Sequence, residues 1–300
     1  MGPLRGHRCA ACGAEKLTGH LKVAGQAGPE GLIPTSSQFG TALSDIVRCT
    51  VCGHMQLADL PSEAALAEAY GQAESDDYVE EELGQRATAR RALERIERHR
   101  APGRLLDLGC WVGFLLDEAR ERGWATVGVE PSAFASAFAR QRLRLEIRPG
   151  DLFTASIEPS SFDAVVLGDV IEHLPDPGRA LERVASLTVP GGVLYLTLPD
   201  AGSRIAGLLG ARWWSVIPTH VQYFTRASLE RLLARHGWEL LELSTAPKAF
   251  TVRYYAGRIG GYWPSAVRAL VALTERAGVA DRLWAPDFRD RMAALARIPS

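Results

Sequence analysis

Residues 104–130 read RLLDLGCWVGFLLDEARERGWATVGVE. A short apolar run ends at an acid, turns through Gly109 and Gly113, continues as the amphipathic helix GFLLDEARERG, and closes on a second apolar run, ATVGVE, that ends at Glu130. Strand, helix and strand at this spacing form a βαβ unit with parallel strands. PSAFASAFARQ follows as a helix with Pro131 at its first turn. The alternation predicts an α/β fold with a doubly wound, Rossmann-like sheet. The turn from Asp107 to Gly113 lets backbone approach a ligand at a helix N-terminus. Glu130, 21 residues after Gly109, ends the second strand where a ribose would present its hydroxyls. A nucleoside-bearing cofactor is expected. The loop alone does not say which one, because Trp111 stands where a third glycine would commonly sit.

Outward from this unit, composition sets the class. The chain has 300 residues, 47% of them hydrophobic, enough for one large domain or one domain with a small module. Thirty-four basic residues against 35 acidic ones leave a net charge of -1, and no basic run of five or more occurs. Such a chain lacks the field that draws proteins onto nucleic acid or acidic membranes. The N-terminus MGPLRGHRCAAC has no apolar core of a signal peptide, and no window is apolar enough to span a bilayer. A cytoplasmic enzyme-sized protein without membrane insertion is expected.

Four of the five cysteines form two pairs, Cys9-Ala-Ala-Cys12-Gly and Cys49-Thr-Val-Cys52-Gly. This is the pattern of two zinc knuckles, and four thiolates close a tetrahedral site, so the zinc is structural. Two disulfides are the alternative, disfavoured by the spacing and the missing signal peptide. His7 and His54 stand near enough to substitute as ligands. The 36 residues between the pairs exceed those of a compact ribbon, so GQAGPEGLIPTSSQFG loops out. Cys110 reads as a buried filler. The zinc-binding module occupies 1–57, and a helical linker with Tyr70 and Tyr78 occupies 58–100. Its long helix, about Glu81 to His99, carries a stripe of Leu83, Ala87, Ala92, Leu93 and Ile96.

The segments DLGCWVG (107–113), VEPS (129–132), GDLF (150–153), FDAVVLGDVIEHLPDP (162–177) and VPGGVLYLTLPD (189–200), in this order, resemble the class I S-adenosylmethionine-dependent methyltransferases. The CxxC module ahead of them is similar to bacterial methyltransferases of sugars, glycans and secondary metabolites, and EHLPDP is similar to quinone O-methyltransferases. The resemblance implies a seven-stranded sheet over 101–300, with a helical insertion at about 248–285 and RMAALARI as a final antiparallel strand. It implies that S-adenosylmethionine is held by Asp107, Gly109, Gly113, Glu130, Asp151, Leu152 and Asp169. Glu130 takes the ribose hydroxyls, Asp151 the adenine amino group, and Asp169 faces the methionyl end.

The acceptor side carries His173 and His220. His173 reads as a general base, or, as the resemblance to the ExxEH motif of quinone O-methyltransferases implies, with Asp169 in place of the first Glu and with Glu172, as a ligand of a divalent cation that acidifies the acceptor. A third reading leaves the acids as helix caps and His173 as a wall residue. His220 sits in the aromatic loop WWSVIPTHVQYFT, which suits a ring-shaped acceptor or simply packs on the core. The expected reaction is methyl transfer to a hydroxyl of a sugar, glycan or secondary metabolite. An rRNA base methyltransferase with a zinc module and a non-catalytic binding scaffold are the alternatives. A nicotinamide dehydrogenase leaves GDLF and EHLPDP without a role. The acceptor and the oligomeric state are not legible.

Overall fold

A computed structural model describes residues 8–23, 39–62, 65–66, 81–259 and 262–299. Three short antiparallel strands come first: β1 (Leu17–Leu21), β2 (Ile46–Cys49) and β3 (Met55–Leu57). His7, Tyr70, Tyr78 and most of the GQAGPEGLIPTSSQFG insertion lie outside the described residues. Helix α1 (Glu82–Glu97) then buries Gly84, Ala89, Ala92, Leu93 and Ile96. The stripe therefore differs from the expected one: Leu83 is exposed, and Gly84 takes its place. A Cβ on Gly84 would lie 2.3 Å from the Ala249 carbonyl oxygen. Close approach to residues 249–250 sets that face of the helix, which the apolar count could not reveal.

From 104 the chain alternates as the sequence predicts: β4 (Arg104–Leu108), α2 (Phe114–Glu121), β5 (Ala125–Glu130), α3 (Ala133–Arg142), β6 (Ile147–Pro149), β7 (Phe162–Gly168), α4 (Pro177–Leu187) and β8 (Thr188–Pro199). Pro131 precedes the α3 cap, and the Ser132 hydroxyl accepts the Ala135 amide as the cap itself. After α5 (Arg204–Leu209) come β9 (Gln222–Tyr223), α6 (Arg226–Arg235) and β10 (Glu239–Thr245). Thr225 and Ser228 cap α6 reciprocally, as the Thr at that position leads one to expect. The insertion holds β11 (Phe250–Thr251), α7 (Val252–Arg258), α8 (Val267–Arg276) and β12 (Leu283–Trp284), and β13 (Arg291–Arg297) ends the fold.

The large sheet has seven strands in the order β10-β13-β8-β7-β4-β5-β6. Only β13 runs antiparallel to its neighbours, as expected of RMAALARI. The central strands are covered on both faces, so they read as continuous apolar runs. Alternate residues divide between two cores: Leu106, Leu108, Val165 and Leu167 face α4 and α6, while Leu105, Ala164 and Val166 face α1 and α2. Each such buried Leu or Val contributes about 1.5–3 kcal/mol. Cys110 is buried as a filler, under Gly128. The first three strands continue into β9, which pairs antiparallel with β3 through Met55↔Tyr223 and Gln56↔Gln222. No described helix is long and apolar enough to cross a membrane.

Candidate active site

The carboxyl ends of β4, β5 and β7 open into one cavity of about 1350 Å³, where ligands bind in open α/β sheets. The loop after β4 is held to β5, because the amides of Gly109 and Cys110 donate to the Val129 carbonyl at 2.8 and 3.1 Å. Gly113 caps α2 at φ 85°, and a Cβ there would meet Leu145 at 2.6 Å. Trp111 also takes a positive φ, 49°. Its amide donates to Glu130 Oε2 at 2.8 Å, which offsets part of that strain. The Ser132 amide donates to Oε1 at 2.8 Å. Each Glu130 oxygen keeps a lone pair, so the carboxylate can still accept two hydroxyls.

Asp107 and Glu130 are buried and lack an ion pair among the described residues. Burial pushes Asp107 up to about 7, helped by the Glu130 charge. Burial likewise pushes Glu130 up to about 7, against the pull of the Ser132 and Trp111 amides. Two such acids at a glycine cradle fit a ligand bringing hydroxyl and ammonium donors. Asp151 and Leu152 line the same cavity. Asp151 Oδ1 is engaged in its own turn, accepting from Phe153 N, Thr154 N and Thr154 Oγ1 at 2.8, 2.8 and 2.9 Å. That leaves Oδ2 for an amino group.

The stretch after β7 supplies the other end. Asp169 sits at φ 57° and is paired with both Lys248 and Arg291. Burial would raise its pKa, but the Arg291 and Lys248 charges hold it well below the usual carboxylate range. Asp169, expected in a cation set with Glu172 and His173, is paired with Lys248 and Arg291. Glu172, His173 and His220 instead bring one ligand atom each to within 4.8 Å of one another. Among the described residues neither oxygen of buried Glu172 has a hydrogen-bond partner. Burial, then the Asp169 charge, pushes it up to about 8.

The two histidines have the same state for the same reason. His173 Nδ1 lies 2.9 Å from the Thr219 carbonyl and His220 Nδ1 2.8 Å from the Ser215 carbonyl. A carbonyl only accepts, so each Nδ1 carries the proton and each Nε2 keeps its lone pair. Burial lowers His173 to about 4 and His220 well below its ordinary value, so both are neutral at physiological pH. The rings meet edge to face with centroids 4.6 Å apart.

Sequence reasoning missed Lys248 and Arg291. Arg291 had a legible signal: an antiparallel strand begins where its parallel neighbours end, and Arg291 pairs with Pro199 at the cavity edge. Phe250, Tyr254, Tyr255, Trp214 and Phe288 also line the cavity. Trp213 and Trp214 both turn their indole N–H toward Asp290, at 3.4 and 2.8 Å. The first Trp is core, and the second is also wall.

The four N-terminal cysteines converge. Cys9 and Cys52 sulfurs are 3.5 Å apart, and those of Cys12 and Cys49 3.6 Å. A disulfide would bring them to about 2.05 Å. A tetrahedral ion with Zn–S of about 2.3 Å separates sulfurs by roughly 3.8 Å, so the cluster fits such an ion. Both knuckles fold alike, with the Gly13 amide on the Cys9 carbonyl and the Gly53 amide on the Cys49 carbonyl, at 2.8 and 3.0 Å. The contact with Cys9 draws Cys52 down to about 5, against burial. His54 is not part of this cluster, and its Nε2 faces Gln222 Oε1 at 2.9 Å.

A family model described as a methyltransferase domain matches residues 80–243. The chain is 32% identical over 143 residues to a ubiquinone biosynthesis O-methyltransferase of Rhodopseudomonas palustris (strain TIE-1), covering 44% of this chain and 56% of that one. It is 34% identical over 119 residues to the protein of the same name from Alkalilimnicola ehrlichii, covering 37% and 48%. The chain spans about half the length of the curated relatives it matches. Its fold is also that of a SAM-dependent methyltransferase from Thermotoga maritima, at 17% identity, 75% and 95% coverage and a TM-score of 0.50.

Proposed function

The chain belongs to the methyltransferase-domain family, and on that premise we propose that it transfers a methyl group from S-adenosylmethionine to a hydroxyl oxygen of a small ring-bearing acceptor, of the sugar, glycan or secondary-metabolite class. The supporting observation is a single cavity that joins the Asp107–Glu130 cradle to two neutral histidines. The cofactor brings an already activated methyl group. Glu130 accepts the ribose hydroxyls, Asp151 the adenine amino group, and the Gly109–Gly113 loop the methionyl part, near Asp169. His173 Nε2 takes the acceptor proton, with His220 Nε2 as the nearby second base. The aromatic walls exclude water and hold the ring in line for attack.

Cys9, Cys12, Cys49 and Cys52 hold a structural zinc in this reading, which suits a cytoplasmic setting where thiols stay reduced. A second reading is favoured by the unpartnered oxygens of Glu172: Glu172, His173 and His220 hold a divalent cation that acidifies the hydroxyl.

Calorimetric titration of the zinc-loaded protein with S-adenosylmethionine and with NAD tests the premise. The methyl donor alone should bind, and Glu130→Ala should abolish that binding; preferential binding of NAD would overturn the assignment. Transfer of labelled methyl to a panel of sugars and phenols then identifies the acceptor class. Turnover that requires added Mg²⁺ or Mn²⁺ and disappears in Glu172→Gln would replace the base with the cation.

A further inference from the structure

The N-terminal strands are tied to the acceptor end of the cavity by a continuous set of polar contacts. His54, two residues after Cys52, is fully buried. On its far side Gln222 Nε2 donates to the carbonyls of Leu174 and Pro175, at 3.3 and 3.1 Å. Only the amide N–H₂ can serve two carbonyls, so Gln222 Oε1 faces His54, and His54 Nε2 carries the donating proton at 2.9 Å. The His54 ring also packs on Phe224 with centroids 4.6 Å apart.

Backbone runs beside this chain. The Leu57 amide donates to the Val221 carbonyl at 3.0 Å, and the Val221 amide to the Glu172 carbonyl at 2.9 Å. Gln56 reaches the first knuckle, taking the Ala10 amide at 2.9 Å and donating to the Arg8 carbonyl at 3.2 Å. Both knuckles thus bear on one strand, β3, which bears on β9 and on the turn at 172–175. The carbonyls that fix the two histidine tautomers, Thr219 and Ser215, belong to the loop that leads into β9.

We propose that the four-cysteine module supports the acceptor site from behind, through side chains that stand outside the cavity lining. His54 and Gln222 are positioning residues: they hold the 172–175 turn against the 215–222 loop, so that His173 and His220 present Nε2 to the acceptor. Metal occupancy of the knuckles then controls the acceptor end. The cofactor end stays independent, because its loop is held by Val129 and Glu130. The inference rests on the reading of these histidines as the acceptor-side pair.

The test is nitrogen NMR of ¹⁵N-histidine in the full-length zinc-loaded protein at neutral pH, beside calorimetry with S-adenosylmethionine. Wild type should show His173 and His220 as fixed Nδ1–H tautomers. In Gln222→Leu, and in His54→Phe, which keeps a ring on Phe224 but removes the donor, both signals should collapse toward the averaged mixture of a free imidazole. Cofactor affinity should stay within about threefold, as for sites without shared partners. Stripping zinc from the wild type should reproduce the same spectrum, and reloading should reverse it. Unchanged tautomers in both variants would overturn the coupling, and so would loss of cofactor binding in parallel with the tautomers. Absence of cofactor binding by the wild type would sink the methyltransferase reading instead and leave the tautomer result readable.

Discussion

His173 and Glu172 are neighbours in sequence, and their surroundings separate them. His173 keeps a lone pair at Nε2 because Nδ1 is committed to Thr219. Replacing it with Ala should lower turnover about 10²-fold or more and leave cofactor affinity nearly unchanged, as steady-state kinetics beside calorimetry would read. Glu130 gives a pH prediction. Its folded pKa, about 7, exceeds the ordinary 4.5, so in the ligand-free protein it favours the fold most below the ordinary value and loses that contribution as pH rises toward 7. A cofactor whose hydroxyls donate to the ionised form has the opposite preference. S-adenosylmethionine affinity should therefore fall about tenfold per pH unit below 7, and a flat calorimetric profile from pH 5 to 8 would remove Glu130 from the ribose site.

Two close approaches fix how the elements meet. Gly113 combines a left-handed φ with contact against Leu145, so Gly113→Ala should cost about 1–3 kcal/mol in denaturant unfolding and weaken cofactor binding. Gly84 lets α1 lie on the insertion at Ala249. Gly84→Val should push the two apart while sparing the central sheet, visible as faster amide exchange confined to 81–97 and 248–252. The strands of the βαβ unit were legible because both faces of β4, β5 and β7 are buried and the apolar runs are unbroken. The α1 stripe was misread at Leu83 because a helix that meets backbone selects a small residue, and an apolar count favours large ones.

At the scale of the molecule, the N-terminal strands take a fourth strand, β9, from the chain that follows β8, and pair with it through β3. Cys49→Ser should cost the bound zinc, measured as metal per chain, and melt β1–β3 in a separate low-temperature transition. The cofactor loop should keep its affinity, since its backbone is held by Val129 and Glu130. Retained zinc stoichiometry would refute the ligand set.

The sequence by itself determined what local pattern can carry: the alternation of parallel strands and helices, the glycine turn after β4, the four-cysteine set, Glu130 at a strand end and His173 in the stretch that follows β7. Periodicity and spacing are properties of contiguous residues, so they survive in the linear text. Only the tertiary structure decided the pairings across long separations. Asp169 is held by Lys248 and Arg291, distant in sequence, and Glu172 and His173 meet His220 across a loop. His54 turned from a spare metal ligand into a donor to Gln222 for the same reason. A carboxylate or an imidazole has no fixed role until burial withdraws water and a specific partner takes one of its two faces, and that partner is chosen by the fold.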